Sequence, residues 1–220
     1  AMAGKCKGKV VGFGIINDAP VMAGTIKNSE KGLSFTCRCF DQVIDVHMAV
    51  IGTHNVYNAL AAVAVGRLLG LSEHQMQKGL AEDKGVPMRQ ELVNIDNVVF
   101  VNDAYNANPA SMKEAVDTLV TLTGGRKIAV LGGMLELGDW AEKEHEKIGT
   151  YLADKKVDVL IALGDEARFM AKAAKAAGMN EVYTVTTHAE AAAVLRRIMR
   201  QGDTVLLKGS RGFAMEKILP

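Results

Sequence analysis

Apolar and polar residues alternate along much of the first quarter of the chain, between residues 9 and 51. Successive side chains of a β-strand point to opposite faces, so this alternation is typical of strands with one buried face. The runs that carry it are residues 9–13, 33–40 and 43–50. Turn-forming residues separate these runs, as at Asn17-Asp18 and Asn28-Ser29, and the pattern therefore predicts a small antiparallel sheet.

Two helices are predicted after this sheet. The sequence from His54 to Leu69 is rich in alanine, and Gly70 follows where glycine commonly ends a helix. A shorter helix begins after Ser72, because Gln75 three residues later completes a capping-box pattern. The pattern changes near residues 84–87, so we expect two parts, residues 1–83 and 84–220.

Beyond that boundary, short and almost wholly apolar runs alternate with helical segments. The runs are residues 98–101, 128–131, 157–163, 182–185 and 205–207. Strands this apolar are buried on both faces, which favours a mostly parallel sheet covered by helices on both sides. We therefore predict an α/β fold, with a Rossmann-like second part preceded by the small antiparallel sheet and its helices.

The helices of the second part carry their own boundary signals. Helix starts of the S/T/D-x-x-E type are Ser111 with Glu114, Asp139 with Glu142, and Thr187 with Glu190. Gly178 is expected just after the end of the helix that begins near Asp165.

Composition narrows the classes of function. Hydrophobic residues make up 49% of the chain, which is enough for a substantial core. The formal net charge is +1 and the basic residues are scattered, so the sequence has no footprint for nucleic acid or an anionic membrane. Cys6, Cys37 and Cys39 do not have the spacing of metal ligands, and we expect reduced thiols in a cytoplasmic protein.

Polar and glycine-rich segments come directly after several of the predicted parallel strands. Ligands of open parallel sheets bind at the carboxyl ends of the strands, so these segments are the candidate site. Asp103, Asn106 and Asn108 could hold a ligand, with Asp103 accepting hydrogen bonds from a ribose, or could form local turns and start a helix. After the last strand, Lys208, Ser210 and Arg211 could bind an anionic group or form a solvated basic turn.

Asn55 and Asn58 lie three residues apart near a helix start, on one helix face. Asparagine is unfavourable inside helices because its amide competes for backbone hydrogen bonds. A ligand such as adenine would explain the pair, since a carboxamide offers a donor and an acceptor together. The alternative is a capping arrangement around residues 53–55 that leaves Asn58 exposed.

Four segments resemble motifs of the Mur ligase family. Residues 52–62, GTHNVYNALAA, are similar to the pattern G-x-H-N-x-x-N-A-x-A-A of that family. The other three are NDAYNANP at 102–109 with Ser111-Met112, VLGGMLELG at 130–138 with His145, and KGSR at 208–211 with Met215-Glu216. These three look like segments of the dipeptide-adding members, and the four occur in the family's order across residues 50–218.

The resemblance implies the domain identity, the reaction and the ligands. Residues 1–83 would be the end of the family's central ATP-binding domain and residues 84–220 its C-terminal domain. The reaction would be an ATP- and Mg²⁺-dependent amide ligation of D-alanyl-D-alanine to UDP-N-acetylmuramoyl-tripeptide in peptidoglycan synthesis. The nucleotide contacts implied are Asn55, Asn58, Arg89 and Asp103, and those of the dipeptide are Asn106, Asn108, Ser210 and Arg211.

One motif that this reaction needs is absent from the 220 residues. No G-x-x-x-x-G-K-[ST] loop, which holds the phosphates of ATP, occurs anywhere in the sequence. We therefore expect the chain to be part of a longer ligase whose N-terminal and ATPase segments lie elsewhere. Most Mg²⁺ ligands would lie there too, and the chain alone would be inactive.

Two other functions remain open on the sequence alone. A nicotinamide-dependent oxidoreductase domain would share the Rossmann-like pattern, but Gly132, Gly133 and Gly138 lack the G-x-G-x-x-G spacing. A nucleotide-binding module that acts without an ATPase is the second alternative.

Overall fold

The computed structural model describes residues 3–220, which form two compact units with the boundary between Lys84 and Gly85. The predicted fold class is confirmed: a small, largely antiparallel sheet with helices is followed by a mostly parallel sheet with helices on both faces. None of the helices in this part of the chain combines the length and the apolar character needed to cross a bilayer.

The sheet of the first unit has four strands in the order β1-β2-β3-β4. Their bounds are Phe13–Gly14 (β1), Val21–Ser29 (β2), Gly32–Cys39 (β3) and Gln42–Met48 (β4). β2, β3 and β4 pair antiparallel, and the two-residue β1 pairs parallel with β2. The predicted runs at 33–40 and 43–50 are thus strands β3 and β4.

The first predicted strand is wrong, and one strand was not predicted. Residues 9–12 have no regular structure, whereas Val21–Ser29 forms a full strand. The pairing of β2 with β3 shifts between Gly24 and Lys27, where Thr25 has φ 49°, so the alternation of this strand is interrupted. Asn28-Ser29 belongs to the strand, and the turn lies at Glu30-Lys31, where the Lys31 N–H donates to Ser29 Oγ.

Helix α1, Thr53–Leu68, packs its Val56, Leu60 and Val63 into the core of this unit. It ends in a Schellman motif at Gly70 (φ 82°), in which the Leu71 N–H donates to the Gly66 carbonyl at 3.0 Å. The opposite side of α1 is largely apolar apart from Asn58, although it is exposed. Its exposed side chains include Tyr57, Ala62, Val65 and Leu68, followed by Leu69.

Helix α2, Glu73–Ala81, begins as predicted. The Gln75 N–H donates to Ser72 Oγ at 3.3 Å, and the Ser72 N–H donates to Gln75 Oε1 at 2.9 Å. This reciprocal pair satisfies two backbone N–H groups at once, which is why the four-residue pattern located the helix start.

The sheet of the second unit has six strands in the order β5-β6-β10-β7-β8-β9. Their bounds are Glu91–Ile95 (β5), Val98–Asp103 (β6), Lys127–Gly132 (β7), Val159–Leu163 (β8), Glu181–Val185 (β9) and Thr204–Lys208 (β10). All five predicted apolar runs are strands of this sheet, and they pair parallel. β10 lies between β6 and β7, so the last strand in the sequence is central in the sheet.

The edge strand β5 was not predicted. It pairs antiparallel with β6 through a two-residue hairpin at Asp96-Asn97, whose φ angles are 52° and 61°. Two positive φ angles are the signature of a type I′ turn, which matches the twist of the strands on either side. Asp-Asn is a weaker signal for this turn than Asn-Gly, and Glu91–Ile95 is too mixed in polarity to resemble the buried strands.

Four helices cover the parallel sheet: Pro109–Thr121 (α3), Ala141–Asp154 (α4), Ala167–Ala176 (α5) and His188–Ile198 (α6). Helices α3, α4 and α5 pack one after another along one face. Helix α6 and a short 3₁₀ helix, Met215–Ile218, pack on the other, against a core that includes Phe100, Val130, Ile161 and Leu207.

Two of the three predicted helix starts in this unit are wrong. Thr187 and Glu190 form the predicted capping box of α6. In α3 the cap is Asn108, because Pro109 occupies the first helical position and places Ser111 at the third. Asp139 lies inside a 3₁₀ turn, Gly138–Trp140, that precedes α4. Gly178 comes just after α5 with φ 97° in a Schellman motif, as predicted.

The burial of two cysteines generates a prediction about thiol reactivity. Cys37 and Cys39 are free and buried in the first unit, whereas Cys6 is free and exposed. Burial, with a smaller effect of neighbouring Cys39, raises the pKa of the Cys37 thiol from 9.0 to about 11. Treatment of the folded protein with Ellman's reagent at pH 8 should therefore modify one thiol quickly, and all three in denaturant.

The Cys6→Ser variant is the control and should abolish the fast phase. Because folding raises the pKa of Cys37, its contribution to stability is complete below pH 9 and is lost as pH rises towards 11. Two or more fast-reacting thiols in the folded wild-type chain would contradict the burial of this pair.

Candidate functional site

Three strands of the second unit end at one edge of the sheet, and the polar segments lie directly beyond them. In the parallel register, Lys208 at the end of β10 lies beside Asp103 of β6 on one side and Leu131 of β7 on the other. The loops after β6, β7 and β10 therefore meet. This edge is the one at which open parallel sheets bind ligands.

A buried ion pair joins the ends of β6 and β10. Lys208 Nζ lies 2.6 Å from Asp103 Oδ2 and donates a second hydrogen bond to the Asn106 carbonyl at 2.9 Å. The lysine side chain is 2% exposed. The Gln90 N–H donates to the other carboxylate oxygen, Asp103 Oδ1, at 3.3 Å. The alternative of a solvated basic turn at Lys208 is thus wrong, and the Asp103 carboxylate bonds across to β10.

Ser210 also faces inward. Its Oγ donates to the Ala107 carbonyl at 3.3 Å and accepts from the Leu135 N–H at 2.9 Å, while its own N–H donates to the Gly133 carbonyl. One buried hydroxyl therefore fastens the loop after β10 to the loops after β6 and β7. These bonds use its donor proton and one lone pair, so any ligand contact of Ser210 Oγ is restricted to its remaining lone pair.

Asn106 and Asn108 are exposed, and each uses its carboxamide oxygen locally. Asn106 Oδ1 accepts from the Ala107 N–H at 2.9 Å. Asn108 Oδ1 accepts from the Ser111 N–H at 2.9 Å and so caps α3, which confirms its role in starting that helix. The Asn106 carbonyl accepts from Lys208, and the bonds named here leave the NH₂ groups of both asparagines unused.

Arg89 and Arg211 are cations of this edge that solvent can reach. The Arg89 guanidinium stacks over the Tyr105 ring with 4.1 Å between Cζ and the ring centroid. Arg211 Nη1 donates to Glu216 Oε1 at 2.9 Å. Arg89 stacks on a ring and Arg211 has one carboxylate partner. Both guanidinium groups therefore keep further N–H donors for an anionic ligand.

The segment beside Arg89 is strained. Met88 and Gln90 have φ 60° and 52°, in the left-handed region that non-glycine residues rarely adopt. Their backbone N–H groups are held by carboxylates, Met88 by Glu91 Oε2 at 3.1 Å and Gln90 by Asp103. Gln90 Oε1 is buried and has no hydrogen-bond partner in the part of the chain that the structure describes. A buried acceptor of this kind fits a ligand hydroxyl or N–H.

A buried histidine orders the loop after β7. His145 Nε2 accepts from the Met134 N–H at 2.9 Å, and Nδ1 lies 2.7 Å from the Ala141 carbonyl. The types of these partners assign the neutral tautomer with the proton on Nδ1. The histidine that completes the third motif therefore positions the loop that also bonds Ser210.

Asn55 and Asn58 belong to the first unit. Asn58 Nδ2 donates to Asn55 Oδ1 at 3.0 Å, and Asn55 Nδ2 donates to the Ile51 carbonyl at 2.8 Å. The two side chains lie on one face, as expected. The N-cap of α1 is Gly52, with no side-chain capping bond, so the capping alternative for this pair is not supported.

Comparison with known proteins identifies the family. The family model described as Mur ligase, glutamate ligase domain matches residues 88–211, more than half of the chain, and the Mur ligase middle domain matches residues 1–66. The chain belongs to the Mur ligase family. The resemblance of the four motifs is thereby confirmed.

Curated relatives carry the name UDP-N-acetylmuramoyl-tripeptide–D-alanyl-D-alanine ligase. The protein of Bacillus subtilis is 35% identical over 217 residues, or 97% of this chain and 47% of the relative. The protein of Escherichia coli is 32% identical over 90% of this chain and 43% of the relative. The chain thus spans about half the length of the curated relatives it matches.

Solved structures of Mur ligases share the fold. A MurF crystal structure from Acinetobacter baumannii superposes with a TM-score of 0.81 at 31% identity, covering 94% of this chain and 45% of that one. A MurF ligase from Thermotoga maritima, solved in complex with ADP, has a TM-score of 0.81 at 24% identity, covering 94% and 47%.

The glycines at the ends of β7 and β8 pack against an aromatic side chain. A Cβ atom on Gly132, Gly133 or Gly164 would lie 2.9, 2.8 and 2.5 Å from the Phe213 side chain, respectively. These positions hold glycine because the chain's own aromatic ring packs against them. The family assignment and this packing both argue against the oxidoreductase alternative.

No role was predicted from the sequence for several residues that build this edge. They are Lys208 as a buried partner, and Gln90, Glu91, Tyr105, Phe213 and Glu216. Lys208 and Asp103 could have been paired from the sequence, since both end parallel strands, but only if β10 were known to neighbour β6. The strained φ angles of Met88 and Gln90 have no local sequence signal.

The cap at Asn108 generates a prediction about stability. Asn108→Ala should lower the free energy of unfolding by about 1 kcal/mol, because the Ser111 N–H loses its acceptor. Asn108→Ser should lower it much less, since a serine hydroxyl can also cap. Urea unfolding followed by far-UV circular dichroism measures the change.

Asn180→Ala is the matched control, because Asn180 is exposed and caps no helix. It should leave the urea midpoint nearly unchanged. Equal destabilisation by the alanine variants at positions 108 and 180 would show that the cap contributes nothing.

Proposed function

We propose that this chain is part of an ATP-dependent ligase that joins D-alanyl-D-alanine to UDP-N-acetylmuramoyl-tripeptide in peptidoglycan synthesis. The observation that carries the proposal is the convergence of Arg89, Asp103, Asn106, Asn108 and Arg211 at one sheet edge. This edge also contains three of the four Mur ligase motifs. The names of the Bacillus subtilis and Escherichia coli relatives support the choice of dipeptide as the incoming amine.

In this proposal Arg89 and Asp103 contact the nucleotide. Asp103 and the unpartnered Gln90 Oε1 are acceptors that suit the hydroxyls of a ribose. The Arg89 guanidinium, stacked and therefore oriented by Tyr105, suits a phosphate. Asn55 and Asn58 present a hydrogen-bonded carboxamide pair to which we assign the adenine.

The dipeptide contacts that we propose are Asn106, Asn108, Ser210 and Arg211. Arg211 is an exposed cation that can bind the dipeptide carboxylate, while the exposed asparagines can bind its polar backbone. When bound, ATP supplies activation of the tripeptide carboxylate as an acyl phosphate. The residues of this chain hold and orient the amine that attacks it, in a site that must exclude water.

Mg²⁺ accompanies ATP in this proposal, and we assign it no ligand on this chain. Within residues 3–220 the structure brings together no group of three histidine, cysteine, aspartate or glutamate side chains suited to a metal ion. We place the reaction in the cytoplasm. The free thiols of all three cysteines suit a reducing compartment.

The test is titration of the chain with ADP, D-alanyl-D-alanine and NAD separately, measured by calorimetry and by amide chemical shifts in NMR. ADP and the dipeptide should bind and NAD should not. Arg89→Ala should weaken ADP binding and Asn106→Ala should weaken dipeptide binding, each by roughly tenfold, the effect of one lost polar contact to a charged group.

Arg168→Ala is the matched control, since Arg168 is an exposed arginine on α5 that stacks on Phe169. It should leave both affinities unchanged. Binding of NAD, or no response to ADP and the dipeptide at millimolar concentration, would overturn the proposed function.

We also propose that the N-terminal and ATPase segments of the longer ligases are the partner of this chain. The exposed side of α1 supports this. Tyr57, Val65 and Leu68 are between 41% and 56% exposed and lie on one stripe without a charged residue. An exposed apolar stripe on a helix is typical of a surface that another segment covers, so a partner that covers this stripe would remove the apolar surface from water.

This partner proposal predicts a complementation result. The chain alone should show no ATP hydrolysis or ligation, because its sequence has no phosphate-binding loop. Mixing it with the part of the Bacillus subtilis relative that it does not match should produce turnover. Val65→Lys should reduce that turnover, because a charge then faces the apolar contact.

Val43→Lys is the control, with the same substitution at a 65% exposed valine on β4, outside the α1 stripe. It should have no effect. Turnover by the chain alone, or equal losses from the two lysine variants, would contradict the partner proposal.

A further inference from the structure

We propose that Lys208 is a positioning residue that sets the geometry of both ligand subsites, and not only a structural ion-pair partner. This inference rests on the proposed function, since it concerns the same sheet edge. It adds a residue to which the proposed function gives no role. Lys208 contacts neither ligand in this view and acts through Asp103 and Asn106.

The geometry gives Lys208 two partners with different roles. Its Nζ donates to Asp103 Oδ2 at 2.6 Å on the nucleotide side and to the Asn106 carbonyl at 2.9 Å on the dipeptide side. The segment 103–106 is therefore held at both ends by one ammonium group. With the Gln90 N–H bonded to Asp103 Oδ1, the carboxylate is fixed through both of its oxygens.

The bond to the Asn106 carbonyl also orients the Asn106 side chain. The peptide plane that carries this oxygen also carries the Ala107 N–H, which donates to Asn106 Oδ1. The position of the Asn106 carboxamide thus depends on the bond from Lys208. Ser210, two residues after Lys208, holds the next carbonyl, that of Ala107.

The burial of the charge argues against a purely structural role. Apolar side chains of similar volume often stabilise a core as well as a buried ion pair, because the charges lose their hydration. A lysine that is 2% exposed at the ligand-facing edge therefore indicates a role that needs the ammonium donors. The comparison pair of this unit is half-buried Arg126 with buried Asp203, and the hydrogen bonds given for it go to Ile198 and Arg200 and to none of the candidate site residues.

The contrast between these two pairs defines the experiment. Lys208→Met nearly keeps the length of the side chain and removes the donors, and Arg126→Met removes the donors of the comparison pair. Both variants should unfold at lower temperature than wild type. Only Lys208→Met should weaken binding of ADP and of D-alanyl-D-alanine, by roughly tenfold or more, as for loss of an oriented charged hydrogen bond.

A second pair of variants separates the two partners, and its double variant leaves no unpaired buried charge. Asp103→Asn keeps Lys208 and its bond to the Asn106 carbonyl, whereas Asp103→Asn combined with Lys208→Met removes that bond. We expect dipeptide affinity to stay within about threefold of wild type in the single variant and to fall roughly tenfold in the double variant. This comparison remains decisive if Lys208→Met alone does not fold.

The outcomes are distinguishable. If wild type binds both ligands and a folded Lys208→Met variant binds them equally well, the inference is overturned and the proposed function stands. Equal loss of affinity in Arg126→Met and Lys208→Met would assign Lys208 a structural role only, which also overturns it. If wild type binds neither ligand, the proposed function itself fails, and this inference fails with it.

Discussion

The ion pair between Lys208 and Asp103 is the constraint on which the carboxyl edge of the sheet depends. Two charges removed from water are tolerable only when each is neutralised and hydrogen-bonded. Here the ammonium bonds a carboxylate and a carbonyl, and the carboxylate also receives a backbone N–H. These requirements fix β10 against β6 and fix the strained segment at Gln90 as well. They also determine the positions of the exposed groups around the pair.

The same edge explains why a Rossmann-like fold need not bind a dinucleotide. In such folds glycines after the strands let a phosphate approach the backbone. In this chain Phe213 occupies that space, against Gly132, Gly133 and Gly164, and its carbonyl bonds His188 on α6. The segment after β10 is thereby packed over the ends of β7 and β8. Asp103, Asn106 and Asn108 belong to β6 and the loop after it, whereas Ser210 lies beside Gly133 and this ring.

The parts that could be predicted from the sequence are those with a local signal. Buried parallel strands are apolar throughout, so all five were found, and capping boxes at Ser72 and Thr187 located two helix starts. Strands β2 and β5 were missed because a bulge interrupts one and the other is a polar edge strand. The rule that ligands bind at strand ends selected residues that the structure does bring together, from Asp103 to Arg211. Their roles as ligand contacts stay predictions.

What could not be predicted is which of those residues face inward, because that depends on strand order. Lys208 and Asp103 are 105 residues apart and meet only because β10 inserts between β6 and β7. Because β10 lies there, the polar residues of this edge fall into two groups that differ in solvent exposure. Asp103, Lys208 and Ser210 are buried in internal bonds, while Asn106 and Arg211 are exposed. A ligand at this edge therefore contacts the exposed side chains first. The buried residues fix the backbone positions from which those side chains extend.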